Sequence, residues 1–542
     1  MLATVLHALA PSAFGRWFEI PSQAATEARR CAPCHCFDAG LHWSRLYPVS
    51  CRSSPGLSNS VSRPELVRSA AALRSLGRIV PVGLLLWMLS APNAIAADGD
   101  SAAQRSRSPD FQLLRFDEDY SYLATAGWPL STWEHFKYVP LGGSSWISFG
   151  GELRERWEYQ VNPDFGAEQA RSSVWLQRAT LSADLHSGPL RFYGQFLHAT
   201  QEGRPGGPSP VDEDLLDQQN AFFELSPDLF GPTLPMPRIG RQEIRFGSGR
   251  LVDPREGPNV RRTFDGARLI HEGTTWTLNG LYVRPREDEP GVFDDPTSDT
   301  QALWGLYSVG KSLGFLGSSL DLYDFGYENE EAVYVQGSAP ERRNSLGARF
   351  WGESRRWDFN WEVVGQTGEF GRGDIWAWTL ATDTGYTFSE SPMKPRVALS
   401  ANIASGDKNP DDDVLQTFNP LYPRGNYFSE DAILGPRNFF NFHPFLTLQL
   451  NDALVLTTDI NFFWRLERGD GVYTPSGAIL RGPQPGAGRY VATAVSVNLT
   501  WIISPFVDAT AVYTRFQPGE FLKDTGPSKP LDFIELTLRK RF

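Results

Sequence analysis

From Trp146 onward, apolar and polar residues alternate along the chain in segments of about 10 to 15 residues. In the first segment Ile147, Phe149 and Leu153 share one parity, while Glu152 and Arg154 share the other. A period of two residues is that of a β-strand with one apolar and one polar face. Strands of soluble sandwiches average about 5 to 6 residues, so this length favours a membrane barrel. Comparable segments follow near residues 343–350, 357–363, 454–467 and 491–501.

The connections between these segments alternate between long and short. An even strand number, with short turns at one end and long loops at the other, is typical of bacterial outer-membrane barrels. We therefore predict an all-β, antiparallel transmembrane β-barrel of 18 strands, with short periplasmic turns and long extracellular loops. Two connections fit less well, since 228–237 is a Pro-rich stretch at a predicted turn and 367–373 is short at a predicted loop. The long connections are 161–170, 202–217, 248–259, 287–300, 328–340, 406–431, 468–486 and 517–530, and the short ones are 187–189, 272–273, 311–314, 353–355, 451–452 and 504–505.

The last segment ends in an aromatic residue. Ile534, Leu536 and Leu538 alternate with polar residues up to Phe542. This ending resembles the signal by which the barrel-assembly machinery recognises outer-membrane proteins, although Lys540 departs from its usual apolar or aromatic residue. The alternative is an ordinary final strand that ends in Phe.

A short apolar run near residue 80 has the features of an export signal. Arg68, Arg74 and Arg78 precede the run at 79–89, and small residues follow at 94–96. A basic region, a short apolar core and small residues before a cut define a secretory signal peptide. We predict a signal peptide at 67–96, a misassigned N-terminal extension at 1–66, a periplasmic segment at 97–144 and the barrel at 145–542.

Composition and charge exclude several other classes of protein. The 542 residues are 41% hydrophobic and 13% aromatic, which rules out a disordered chain. The longest uncharged apolar run, 79–92, is shorter than the roughly 20 residues of a membrane-spanning helix. The net charge of −12 becomes −17 without residues 1–96, which hold nine Arg and four acidic residues. A surface this acidic argues against binding to nucleic acid.

The four cysteines all lie before the predicted export signal. Cys31, Cys34 and His35 have the spacing of a c-type haem attachment site. Because this motif precedes the export signal, we interpret it as a decoy and predict no cofactor.

Several segments of the chain carry distinctive motifs, namely 113–123, 136–141, 147–156, 238–245, 261–265, 404–412, 417–423 and 519–526. Together they resemble the alginate export family of outer-membrane proteins. The first three segments resemble the family's opening and the next two its central segment, while 404–412 and 417–423 resemble its late loop and 519–526 its approach to the last strand. The resemblance implies an eighteen-stranded monomeric barrel in the outer membrane of a Gram-negative bacterium, surrounded by lipid and lipopolysaccharide. It further implies an arginine-lined lumen that passes an anionic polysaccharide such as alginate.

If the apolar faces point to lipid, the polar faces place a set of arginines in the lumen. A guanidinium stays charged and pairs bidentately with carboxylates, so a row of them attracts a polyuronate without one rigid pose. The alternative is that each arginine neutralises a neighbouring lumen acid and maintains the barrel. A channel for small anionic nutrients is the alternative function. The predicted lumen arginines are Arg154, Arg156, Arg178, Arg241, Arg245, Arg343, Arg349, Arg396, Arg465, Arg539 and Arg541.

The long loops are rich in acidic residues, with runs at 212–214, 287–289, 294–295, 328–331 and 411–413. Such loops could bind Ca²⁺ or bridge to lipopolysaccharide through divalent ions, although no spacing matches an EF-hand and solvated loops are the alternative. No common hydrolase or nucleotide-binding motif occurs after residue 97. We therefore expect a channel rather than an enzyme, and the alternative is a non-conducting structural barrel or a barrel enzyme whose site is formed from separate strands.

Overall fold

The computed structural model describes residues 109–542 except 126, 128, 227–233 and 313–317. The predicted N-terminal extension, the signal peptide and the haem-like motif lie outside the described residues and stay predictions. Within the described part, the strands are β1 (Val139–Gly142), β2 (Ser145–Val161), β3 (Arg171–Ser187), β4 (Leu190–Glu202), β5 (Asp214–Leu225), β6 (Met236–Gln242), β7 (Phe264–Glu272), β8 (Trp276–Pro285), β9 (Gln301–Gly310), β10 (Ser319–Tyr334), β11 (Gly337–Ser354), β12 (Trp357–Phe370), β13 (Gly373–Thr387), β14 (Arg396–Ala404), β15 (Val414–Leu415), β16 (Phe439–Gln449), β17 (Leu454–Trp464), β18 (Val472–Tyr473), β19 (Ile479–Arg481), β20 (Tyr490–Ser504), β21 (Val507–Pro518) and β22 (Leu531–Arg541).

Helical structure is sparse. The α-helices are α1 (Thr132–Lys137) and α2 (Glu520–Thr525), and single 3₁₀ turns occur at Arg115–Asp117, Ser121–Thr125 and Pro163–Gly166. No helix among the described residues is long and apolar enough to cross a membrane.

Eighteen of the described strands form a closed antiparallel barrel, as the sequence predicts. Each strand pairs with its neighbour along the chain, from β2 to β14 and then through β16, β17, β20, β21 and β22. Pairing of β22 with β2, where Arg539 lies opposite Arg154, closes the barrel. Of the remaining strands, β1 extends β2 as a hairpin, β15 runs parallel to β13, and β18 pairs with β19.

The outer surface of the barrel is apolar. Leu346 is 67% exposed, whereas its neighbour Ser345 is fully buried. Leu306, Phe223 and Ile239 are each at least 60% exposed on other strands. A continuous apolar surface of this kind would be a liability in water, but it suits the lipid-facing side of a membrane barrel.

The two ends of the barrel differ in their connections. One end, here called the short-turn end, has connections such as 188–189, 273–275, 355–356, 450–453 and 505–506. The opposite end, the long-loop end, carries 203–213, 243–263, 286–300, 405–438 and 465–489. This asymmetry confirms the predicted pattern. The connection 371–372 is short, as the sequence indicates, although it lies at the long-loop end.

One predicted long loop, 328–340, is wrong. There β10 continues to Tyr334 and β11 starts at Gly337, so only two residues remain in the turn. The ring of Tyr334 packs edge-on against Phe370, and the neighbouring Ala332, Ile375 and Leu415 are buried. This apolar cluster supports the hairpin beyond the rest of the barrel, which the local run of acidic residues does not reveal.

Two long connections fold inward and fill much of the lumen. We call 243–263 the first inward loop and 405–438 the second inward loop. Val252 of the first is fully buried and bridges Tyr422 of the second. The two loops also exchange main-chain hydrogen bonds, because Tyr422 N donates to Leu251 O and Asp253 N donates to Tyr422 O. The buried cluster around them joins loop residues to lumen-facing side chains such as Phe264.

Residues 109–138 form a third inward element at the short-turn end. Phe116 is buried against the rings of Tyr193 and Phe222 on the lumen face of β4 and β5. Arg115 donates hydrogen bonds to the carbonyls of Gly151 and Phe542, where β2 and β22 meet. This N-terminal segment therefore lies against the β2–β6 wall of the lumen.

Candidate conduction pathway

Three cavities remain between the inward elements and the barrel wall in the described part of the chain. The lower cavity, of about 250 Å³, is lined by Ser400, His443, Asp459 and Asn498 from the β13–β21 wall. The upper cavity, of about 440 Å³, lies toward the long-loop end beside Arg156 and Arg255. The side cavity, of about 700 Å³, lies beside the β9–β11 wall and shares Arg255 and Arg262 with the upper cavity.

The second inward loop separates the upper cavity from the lower one. Asn426 and Glu430 line both cavities, the residues 427–429 between them line the lower one, and Asp431 and Ala432 line the upper one. A solute that moves through the lumen therefore passes residues 423–432, which we call the constriction segment. The opposite half of the lumen is nearly closed, because only about 10 Å³ remains among Arg115, Glu152 and Arg261.

Three arginines line these cavities without a carboxylate within 4 Å among the described residues. Arg262 donates one hydrogen bond to the carbonyl of Pro423 and lies over the ring of Tyr422. Arg424 donates to the carbonyl of Tyr427 in the constriction segment. Arg437 donates to Asn419 and to the carbonyl of Gly477 beside the side cavity. All three belong to the inward loops, so the loops carry positive charge into the pathway.

Neighbouring arginines raise the local excess of positive charge further. Burial and the adjacent Arg255 lower the pKa of Arg262 to about 9, which leaves it protonated at neutral pH. Burial and Arg250 lower the pKa of Arg424 in the same way. A lowered arginine pKa means that the surroundings disfavour the charged guanidinium, so an added anion would stabilise it.

Acidic side chains also line the upper cavity, and one is poised to titrate. Burial raises the pKa of Asp431 to about 6. Hydrogen bonds from Ser429 and from the main-chain N–H of Ile433 act in the opposite direction but do not cancel this effect. The pKa of Glu430 is also raised, mainly by burial and to a smaller extent by the negative charge of Glu535. The constriction segment therefore loses negative charge as the pH falls below about 6.

One group of predicted lumen arginines surrounds a single carboxylate of the first inward loop. Glu256 Oε1 lies 2.6 Å from Arg178 Nη2, 3.7 Å from Arg539 Nη1 and 3.9 Å from Arg154 Nη1, and its Oε2 lies 3.3 Å from Arg261 Nε. Burial alone would raise the pKa of Glu256, but these guanidinium groups lower it overall. Arg154 also donates to the carbonyls of Glu256 and Pro258. These arginines hold the loop against the wall.

The structure places five further predicted arginines in the lumen, each beside an acid. Arg156 pairs with Glu535 at 3.2 Å, and Arg349 pairs with Asp321 at 2.7 Å. Arg541 Nη2 lies 2.7 Å from Asp508. The remaining pairs join Arg343 to Glu341 and Arg396 to Asp358. The arrangement agrees with the alternative in which such arginines neutralise lumen acids.

Three predicted arginines do not line the lumen wall. Arg241 lies opposite Ala221 and Asp265 and shares its face with Ile239, so it points outward. Arg245 belongs to the first inward loop, 3.5 Å from Asp253. Arg465 follows β17 and donates to four main-chain carbonyls of the connection 465–489, which fixes it within that loop.

Five cavity-facing arginines of the inward loops were not predicted from the sequence. The connections 248–259 and 406–431 were predicted to be extracellular, whereas Arg250, Arg255 and Arg424 within them, and Arg262 and Arg437 close to them, face cavities. The available signal is the apolar content of these loops. Ile244, Leu251, Val252, Phe418 and Leu421 would be unusual in solvated loops, and they are all buried here.

Comparisons with known proteins agree with the fold. Residues 145–532 match the family model described as alginate export. Solved structures with a similar fold include OccAB3 of Acinetobacter baumannii, with 11% identity over 73% of this chain and 99% of that chain and a TM-score of 0.51. A BenF-like porin from Pseudomonas fluorescens Pf-5 has 9% identity, coverage of 73% and 98%, and a TM-score of 0.50. Pseudomonas aeruginosa OpdK with vanillate has 10% identity, coverage of 74% and 98%, and a TM-score of 0.50. No curated protein matches the sequence significantly.

Proposed function

Because the chain belongs to the alginate export family and is an outer-membrane β-barrel channel of a Gram-negative bacterium, we propose that it conducts an anionic polysaccharide of the polyuronate type. The polymer passes the upper cavity, the constriction segment and the lower cavity by diffusion, without a catalytic step. The short-turn end then faces the periplasm and the long-loop end faces the medium.

The observation that supports this proposal is the position of the arginines without acidic partners. Arg262 and Arg424 belong to the inward loops that bound the pathway, one beside the upper cavity and the other beside the lower one. A guanidinium offers paired N–H donors to each carboxylate of a polyuronate. Rings or rows of such groups select anions, and several weak sites allow a polymer to move on.

A channel for small anionic nutrients is the second candidate function. The narrow lumen favours it, because the lower cavity holds only about 250 Å³ and the constriction segment lies across the pathway. Small carboxylates would need a smaller movement of the inward loops to pass than a polymer chain would. Both candidates require anion selectivity and differ in the size of the solute.

Ion selectivity in planar bilayers tests the role of the unpaired arginines. We expect the purified protein to be anion-selective in a KCl gradient, and Arg262→Gln or Arg424→Gln to lower the anion-to-cation permeability ratio about two- to fivefold. One charge at about 6 Å in a water-filled pore is worth about 0.7 kcal/mol. Arg515→Gln is the matched control, since Arg515 is exposed on the outer face beside Asp532.

Cation selectivity of the unmodified channel would contradict both candidate functions. Liposome swelling then separates them by size, with monomeric sugar acids compared against uronate oligomers. Swelling with sugar acids alone supports the nutrient channel, and passage of oligomers supports the polysaccharide channel.

A further inference from the structure

The connection 286–300 rests on strand β5. Phe293 N donates to Leu216 O, and Leu215 N donates to Gly291 O. The ring of Phe293 also contacts Phe196, which is 47% exposed on the outer face of the barrel. This connection therefore packs on the barrel wall at the long-loop end instead of extending into the medium.

Three aspartates meet beneath this connection. One carboxylate oxygen from each of Asp214, Asp217 and Asp295 lies within 4.8 Å of the others, and all three residues are buried. Two of the sequence's acidic runs, 212–214 and 294–295, contribute to this cluster. Two oxygens bound to the same Ca²⁺ lie at most about 5 Å apart, since the Ca–O distance is about 2.3–2.6 Å.

Asp214 has no hydrogen-bond partner in this cluster. Its side chain is fully buried, and neither carboxylate oxygen accepts a hydrogen bond among the described residues. The nearest guanidinium atom, Arg286 Nη1, is 3.8 Å from Asp214 but only 2.8 Å from Asp295. Asp217, by contrast, lies 3.2 Å from Arg241. A buried carboxylate that accepts no hydrogen bond is costly, so Asp214 is a candidate ligand for a cation.

The charges around the three aspartates leave a deficit of positive charge. Arg241 also pairs with Asp265 at 2.9 Å, and Arg286 also pairs with Asp288 at 3.0 Å. Asp288 is further paired with Arg255 at 3.3 Å. These five aspartates and three arginines carry a net charge of −2, which one divalent cation would balance.

We propose that Asp214, Asp217 and Asp295 bind one Ca²⁺ that fastens the connection 286–300 to the barrel wall. The ligand set consists of carboxylate oxygens, which hard cations prefer, and the six to eight ligands of Ca²⁺ would be completed by water. None of Asp214, Asp217 and Asp295 lines the side, lower or upper cavity, so the site does not depend on the proposed transport function. A bound ion would join β5, which carries Asp214 and Asp217, to the connection 286–300, which carries Asp295.

Calcium binding to the detergent-solubilised full-length protein tests the site directly. After treatment with EDTA, isothermal titration calorimetry should give one saturable Ca²⁺ site, and Asp214→Asn should weaken binding more than tenfold. Ca²⁺ should also raise the unfolding temperature of the unmodified protein and not that of Asp214→Asn. Asp294→Asn is the matched control, because Asp294 is an exposed acid of the same connection outside the cluster.

The behaviour of Asp214→Asn distinguishes a Ca²⁺ ligand at Asp214 from a protonated aspartate that binds no ion. In EDTA, Asp214→Asn should be at least as stable as the unmodified protein, because the substitution removes an uncompensated charge. Absence of a saturable Ca²⁺ site, or unchanged Ca²⁺ binding in Asp214→Asn, would overturn the proposal. A more stable Asp214→Asn protein without any effect of Ca²⁺ would also overturn it, since Asp214 would then be protonated. The ion selectivity of Asp214→Asn should remain that of the unmodified channel.

Discussion

At the scale of single residues, arginine has two roles in this lumen that depend on its neighbours. Arg178 and Arg349 lie within 2.7 Å of carboxylates and hold the wall and the inward loop in place. Arg262 and Arg424 lack such neighbours and face cavities. A paired guanidinium offers little attraction to a passing anion, because its charge is already balanced. Selectivity should therefore depend on the few unpaired groups and not on the total number of lumen arginines.

Whether a strand residue points into the lumen or toward lipid can be predicted only where apolar and polar residues alternate without interruption. Around 238–245 the sequence has Ile239 and Ile244 at opposite parities, so the pattern alone does not fix the face. The structure ends β6 at Gln242, and Arg241 shares the outer face with Ile239. A shift of one residue in a strand moves every side chain to the other face. The resulting error placed Arg241 inside the lumen.

Substitution of Glu256 tests the role of the paired arginines. In Glu256→Gln, the arginines around residue 256 lose their shared carboxylate, and the first inward loop loses its main attachment to the wall. We expect the free energy of unfolding to fall by about 2–3 kcal/mol, below the 3–5 kcal/mol of a fully buried pair, since this side chain is 28% exposed. Urea unfolding in detergent measures the change.

The matched substitution is Glu390→Gln, whose carboxylate is 83% exposed and 3.8 Å from Arg356. A surface pair of this kind should contribute below about 1 kcal/mol. Equal losses for the two variants would contradict the attachment role of Glu256.

The titration of Asp431 predicts a pH dependence of selectivity. Its pKa of about 6 is raised above that of an exposed aspartate, so the carboxylate is ionised at pH 7.5 and becomes protonated as the pH falls below 6. Protonation removes a negative charge from the upper cavity while the arginines stay charged. We expect the anion-to-cation permeability ratio to rise between pH 7.5 and pH 5, measured from reversal potentials.

Asp431→Asn should show at pH 7.5 part of the selectivity that the unmodified channel gains in acid. Its remaining pH dependence should be smaller than that of the unmodified channel. A full, unchanged pH dependence in Asp431→Asn would show that other groups control selectivity.

At the scale of elements, the barrel was predictable and the inward loops were not. A strand in a barrel repeats the same environment every second residue, so local alternation is sufficient to identify it. A loop folds inward because of contacts with distant strands, such as those of Arg154 with Glu256 and Pro258. The local pattern of apolar and polar residues contains no information about such long-range contacts. Only the buried apolar residues of the loops hint at their position.

The N-terminal segment should limit conductance because it lies against one wall of the lumen. Removal of residues 109–138, with the export signal joined ahead of residue 139, exposes the lumen faces of β4 and β5 that Phe116 covers. We expect a larger single-channel conductance with unchanged sign of selectivity. The measurement is single-channel recording in planar bilayers.

A single substitution tests the same prediction if the deletion variant does not fold. Phe116→Ala removes the ring that packs on Tyr193 and Phe222 but keeps the segment. It should give more frequent openings to the larger conductance. Conductance at the unmodified level in the folded deletion variant would show that the segment does not obstruct the lumen.

At the scale of the whole molecule, the closed barrel is rigid and the inward loops are the elements that can adjust. The barrel has paired strands throughout its circumference. The inward loops are joined to each other by the bridge between Val252 and Tyr422. We therefore expect the passage of a polymer to depend on movement of the loops more strongly than the passage of small anions does.

A disulfide between the two inward loops would separate these cases. Residues 252 and 422 are bridge partners, and partners of this kind have the Cα separation that a disulfide needs. The chain has no cysteine after residue 51, so Val252→Cys with Tyr422→Cys introduces the only thiols of the barrel. We expect the oxidised channel to keep its chloride current and to lose passage of uronate oligomers. Reduction with dithiothreitol should restore passage in the same molecules, which provides the matched control.

Passage of oligomers through the oxidised channel would show that the loops need not separate. If oligomers fail to pass even the reduced and the unmodified channels, the small-anion channel remains as the function.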